Sequence, residues 1–205
     1  AALEAAPEAV GVTTHVAFWD EQGARHYVEY HGPRIDSPEP DRRFSRALAL
    51  MAADYRYFDP MYSLYRRSAL ERTQLERMTL YADFALTSEI SLLGPFTHVP
   101  ELLTHRTRPL HNAGTWIHKM APAGHPPLPY PPLDLFRHHV QMIRDTPLPL
   151  SSKAACLGAS VNFCTTHAYR RSIEPLRGKL SASLRKMGVP LDAIKRSLGV
   201  GGGEP

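Results

Sequence analysis

The chain has almost no cysteine. Cys156 and Cys164 are the only two among 205 residues, eight apart in a stretch that reads as helix. At about 1.5 Å rise per residue their Cα atoms lie roughly 12 Å apart, beyond disulfide reach. A disulfide scaffold is excluded, and two buried free thiols in a reducing compartment are expected. No run approaches the roughly 18 consecutive apolar residues of a membrane-spanning helix. The opening "AALEAAPEAV" has no initiating Met, no basic n-region and no apolar h-region, so no secretory signal is read there. A start in mid-helix is expected of a piece of something longer. Metal-binding patterns are missing too: the eleven histidines are scattered, with no HExxH and no paired CxxC.

What is present suits a globular domain. Apolar residues at 43% and charged residues at 21% are enough for a real core. The net charge of +4 is concentrated late in the chain, where eight Lys/Arg between Arg170 and Arg196 face only Glu174 and Asp192. No aromatic platform or nucleic-acid motif accompanies that run, so nucleic acid is not an expected partner. A solvated helix face is the ordinary reading, and peripheral contact with an anionic membrane is its alternative.

Patterning along the chain indicates an α/β fold. "AVGVTTHVAFWD" is β-branched and aromatic, "DEQG" is a turn, and "ARHYVEY" completes a hairpin within residues 9 to 30. A helix over 41 to 55 places Phe44, Ala47, Leu48 and Met51 on one face. "MYSLYR" reads as a short strand that ends at Arg66 and Arg67. "SALE", Ser68 to Glu71, then opens a helix as a capping box. Ala82, Leu86, Ile90 and Leu93 form one stripe of a helix over 83 to 94, closed by Gly94 and Pro95. A strand follows in "FTHVPELLTHRT". Residues 121 to 132 contain six prolines and read as a linker. Beyond it lie amphipathic helices, one carrying Leu157, Val161, Cys164 and Ala168 on one face, and a glycine-rich end. The expected domains are residues 1–120, the linker 121–132 and a helical extension 133–205. The sequence shows no internal repeat.

Asp83 raises the functional question. A carboxylate in the first turn of a helix is explained by the helix dipole and capping alone. It is also where a rigid scaffold would hold a catalytic base. Arg66 and Arg67, at a strand-to-helix joint, can face solvent or a phosphate.

Within residues 54 to 111, "YSLYRRSALERTQLERMTLYADFALTSEISLLGPFTHVPELLTHRTRPLH" resembles the acceptor-side part of family 2 glycosyltransferases. In that family a strand ending in Arg-Arg leads to a short helix. A small residue and an Asp then open a helix ending in Gly, and a "PE-L" strand and an Arg/His loop follow. "LEAAPEAVGVTTHVAFWDEQG" is similar to the helix-to-strand passage before it, and "PLPLSSKAACLGASVNFCTTHAYRR" to a helical C-terminal extension. The resemblance covers nearly all of the chain through the order of weak motifs.

The resemblance implies the C-terminal half of a GT-A fold and an inverting transfer of sugar from a nucleotide-sugar to an acceptor hydroxyl. It makes Asp83 the general base and puts Arg66, Arg67, Arg108 and His111 at the substrate, with His111 also a metal ligand. The spacing here is Arg-x-x-His where the family more often has Arg-x-His, so Arg106 is an equal candidate to Arg108. A nucleotide-sugar, a saccharide or lipid-linked acceptor, and a Mn or Mg ion in the complete enzyme are implied, with a cytoplasmic, membrane-associated location. No Asp-x-Asp occurs in the chain, and neither a glycine-rich phosphate loop nor a strand-helix-strand unit precedes residue 54. The donor side is therefore expected to be missing, and the chain alone to hold no metal and to be inactive. A non-catalytic acceptor-binding or scaffolding module is the alternative.

Overall fold

The computed structural model describes residues 2–19, 23, 25–28, 31–52, 60–74, 81–107 and 131–166. The chain forms two compact units, 1–164 and 165–205, and of the second only Thr165 and Thr166 are described. The expected linker through residue 130, Arg108, His111 and the basic run beyond Arg170 lie outside the described residues.

The first unit is mixed α/β. After a short helix α1 (Ala2–Ala5), the β-branched run forms β1 (Gly11–Trp19) and the hairpin partner forms β2 (Arg25–Val28). Gly23, in the connecting turn, has φ 76°, a left-handed conformation that glycine adopts without steric cost. α2 (Pro40–Ala52), a 3₁₀ turn (Pro60–Tyr62), a two-residue β3 (Leu64–Tyr65) and α3 (Arg67–Leu70) follow. Next come α4 (Ala82–Leu93) and β4 (Phe96–Thr107), then α5 (Pro131–Asp145) and a helix α6 over 150–166.

β1 is the central strand. β2 and β3 pair antiparallel with its C-terminal and N-terminal parts, and β4 runs parallel to its whole length. The β1–β4 register shifts between Thr14 and His15 and again between His15 and Val16, leaving Pro100, Glu101 and Leu103 without partners. A bulge suits Pro100, which has no N–H to offer a ladder.

α4 is buried all round. Ala85 through Leu92 are eight consecutive buried residues, where the sequence stripe predicts a single face. Leu86 and Ile90 pack with Val10, Ile35, Ala47, Leu50 and Phe96. Ala85 and Leu92 pack with Phe44, Leu48, Leu135, Ile143, Cys156 and Phe163. Each large apolar side chain so buried contributes roughly 1.5–3 kcal/mol. One helix thus sits between two clusters, and its polar residues must find internal partners.

Several local expectations are corrected. The strand in "MYSLYR" shrinks to two residues behind a 3₁₀ turn. The capping box does not form: Arg66 is the N-cap of α3, exposed Ser68 lies inside it, and Glu71 pairs with Arg67 at 2.8 Å. On α6 the buried positions are Cys156, Ser160, Phe163 and Cys164, while Val161 is exposed. Gly94 is not a left-handed cap. Its φ of 179° is extended, and it is required because an added Cβ would stand 2.4 Å from Val10 Cγ1. α5 begins two residues early, at Pro131 and Pro132, since a first helical turn has no N–H bonds to lose.

Candidate functional site

Asp83 occupies the first turn of α4, and its carboxylate Oδ1 accepts the Phe84 N–H at 2.9 Å. The preceding Tyr81 supplies no side-chain cap. Asp83 is therefore both helix-capping and half-buried. It stands at the head of a helix whose residues Ala85 to Leu92 are all buried.

The two arginines separate. The Arg66 guanidinium turns back to the N-terminal segment, where Nε donates to the Ala9 carbonyl at 2.6 Å and Nη2 to the Ala6 carbonyl at 2.9 Å and to the Leu3 carbonyl. Its own backbone N–H donates to the Val10 carbonyl at 2.9 Å. Arg66 fastens the chain start to the α3 joint. The Arg67 side chain is 92% exposed and pairs with Glu71 across one helical turn. Arg106, on β4, lays its guanidinium 3.7 Å from the centroid of the exposed Tyr62 ring and 5.6 Å from that of Phe18.

A second polar group lies where α4, α5 and α6 meet. Ser88 Oγ donates to the Ala85 carbonyl at 2.7 Å, so it accepts from His139 Nε2, 3.1 Å away. The opposite nitrogen, Nδ1, then accepts from Ser160 Oγ at 2.7 Å. Neighbouring His138 faces elsewhere: its Nε2 is 3.0 Å from Glu89 Oε1, close but off the line of a good hydrogen bond. Glu89 Oε2 accepts the Gln74 N–H at 2.8 Å. Burial, and secondarily the adjacent His138, pushes His139 down to about 3, so it is neutral at physiological pH.

A Ser–His contact invites a nucleophile-and-base reading. His139, Ser88 and Ser160 are all fully buried, however, so no substrate carbonyl can reach them. The cluster satisfies Ser88 on a helix buried on every side, where Ser91 Oγ donates to the Ser88 carbonyl and Thr87 Oγ1 has no hydrogen-bond partner. Sequence reading missed it, although His139 continues the apolar positions Leu135 and Ile143 at four-residue intervals on α5.

Histidines also meet on the sheet. Thr13 pairs with His98 across the β1–β4 ladder, and His15 shares their face because alternate residues of a strand do. The His15 and His98 rings are 4.9 Å apart at 73°, and Tyr27 of β2 lies 5.9 Å from His15 on the other side. Burial pushes His98 down to about 4, helped by Arg34 and His15.

No family model matches the chain, and no curated protein or solved structure matches it. Among the described residues no group of three or more His, Cys, Asp or Glu is placed to hold a metal ion. Among them, too, no helix is long and apolar enough to cross a membrane.

Proposed function

We propose that this chain forms the acceptor side of an inverting, GT-A type glycosyltransferase of family 2 character, completed by a donor-binding half outside it, with Asp83 as general base. The observation that carries this reading is the position of Asp83. A half-buried carboxylate heads a helix that is otherwise buried along eight residues, after the Arg66–Arg67 joint and before the "VPE" strand. The mixed α/β architecture, with a parallel strand directly after that helix, is compatible with it.

The chemistry asks little of the remaining residues. The acceptor oxygen forms a bond to the anomeric carbon as the bond from that carbon to the diphosphate oxygen breaks. The hydroxyl proton passes to the Asp83 carboxylate, and the nucleoside diphosphate leaves with the bonding pair. Of the arginine pair only Arg67 is disposed toward an anionic ligand, since Arg66 is held by carbonyls. A divalent ion would stabilise the leaving diphosphate. The described residues present no ligand cluster for one.

A non-catalytic acceptor-binding module is the second reading, supported by the capping bond of Asp83 and the structural use of Arg66. One variant separates them. In a polypeptide carrying both halves, Asp83→Asn lowers transfer by roughly 10²–10⁴ while donor affinity stays unchanged, because asparagine accepts no proton. The melting temperature barely moves, since the amide oxygen still accepts the Phe84 N–H. Near-normal transfer would withdraw the catalytic role. The present chain alone should show no calorimetric binding of UDP- or GDP-sugars with manganese, and micromolar binding would contradict the proposed division into halves.

A further inference from the structure

Two imidazole nitrogens on one sheet face have no partner. His15 Nδ1 and His98 Nε2 are both buried from solvent without a hydrogen bond. They belong to neighbouring strands at the β1–β4 bulge, where the register shifts at His15. Bulges re-aim side chains, and buried polar atoms left unsatisfied call for an occupant.

The contacts of Thr13 bear on the state of one of them. Thr13 Oγ1 donates to the Thr97 carbonyl at 3.3 Å, and the same oxygen lies 2.9 Å from His98 Nδ1. In the tautomer in which the Thr13 proton is directed at Thr97, Thr13 accepts from His98 Nδ1–H and Nε2 is left a bare lone pair. A ring held through one nitrogen by a neighbour while the other points a lone pair inward is the arrangement of a metal-ligating histidine.

The spacing agrees. A zinc ion held at about 2.0–2.1 Å by one nitrogen of each ring puts the ring centroids roughly 4.5–5.2 Å apart for N–Zn–N angles of about 90–109°. The observed separation is 4.9 Å.

We propose that His15 Nδ1 and His98 Nε2 bind a borderline divalent transition ion of the zinc class. Imidazole suits that class, and hard ions such as magnesium prefer oxygen. No third protein ligand stands among the described residues. Water enclosed with the ion completes its coordination, since both nitrogens are buried. A buried water bridging the two nitrogens is the competing occupant.

The test uses the full chain and zinc or cobalt(II) alone. Calorimetry should show one ion per chain, and cobalt should give the visible absorption of a low-coordinate site. His15→Ala and His98→Ala should each weaken binding at least roughly tenfold, and Thr13→Val by a smaller factor. His31→Ala and His105→Ala should leave it unchanged. Imidazole ¹⁵N shifts of the unmutated chain need no variant: zinc should move His15 Nδ1 and His98 Nε2 before any other ring. Absence of saturable binding, or binding indifferent to both histidine substitutions, would mean that only water sits there and would overturn the site.

Discussion

Arg43 Nε donates to the Ser91 carbonyl at 2.7 Å, joining α2 to the C-terminal end of α4 across 48 residues. The same guanidinium donates to Leu92 at 3.1 Å and to the Ser37 and Pro38 carbonyls at 3.0 and 2.7 Å. One buried cation therefore satisfies carbonyls from two segments that would otherwise be orphaned at a helix end. Arg43→Met should destabilise the fold by on the order of 3 kcal/mol, because hydrogen bonds to a charged group are the costly ones to lose. Arg43→Lys should recover only part, since an ammonium cannot span four carbonyls. Urea midpoints of the three proteins decide it, and a methionine variant as stable as the parent would refute the account.

Gly94 tests packing rather than backbone strain. An added Cβ would meet Val10 Cγ1 at 2.4 Å and the Glu8 carbonyl oxygen at 3.0 Å. Gly94→Ala should cost roughly 1–3 kcal/mol, the usual range for overpacking. The double variant Gly94→Ala with Val10→Ala should regain part of that loss if the clash is the cause. No recovery would point to the backbone instead.

Acid should weaken the fold before carboxylates titrate. His139 is held near 3 and His98 near 4, against an ordinary value of 6.5, so both are neutral when folded. The unfolded chain binds the extra protons. Stability is thus complete above about pH 6.5 and falls as pH drops toward the folded values. At about 1.4 kcal/mol per proton per pH unit, His139 alone lowers stability by on the order of 1 kcal/mol between pH 6 and 5. The more exposed His98 adds less in the same direction. Denaturant midpoints at pH 7, 6 and 5 measure the slope, and His139→Gln should flatten it. A pH-independent midpoint would exclude this origin.

The two thiols should be inert in the folded protein. Cys156 and Cys164 are buried and free, and burial pushes both up to about 11. Near pH 8 their reaction with an aromatic disulfide should run on the order of a hundredfold slower than for an exposed cysteine. Both should react at once in denaturant. Rapid reaction of the native protein would show that the α5–α6 packing opens.

Local pattern carried much of the fold. The hairpin, the start of α2, the extent of α4 and the strand after Gly94 follow from β-branched runs, turn residues and four-residue spacing, because those signals act within one element. So did the state of the cysteines, whose helical separation forbids a bridge. Asp83 was also visible, since a carboxylate in a first turn is a local feature.

What the tertiary structure decided was the partner of each polar group. Nothing near Arg66 in the chain indicates that its guanidinium closes on Leu3, Ala6 and Ala9, and nothing near Arg43 points to Ser91. The encirclement of α4 was hidden for the same reason: a helix buried on every side has no single stripe to read, and Ser88 and Glu89 resemble a solvent face until α5 brings His139 and His138 against them. Likewise the His15–His98 pair exists only because β4 returns parallel to β1 with a bulge at that level. Periodicity specifies which face of an element is apolar, whereas long-range pairing specifies what that face meets, and the chemistry of a site belongs to the second.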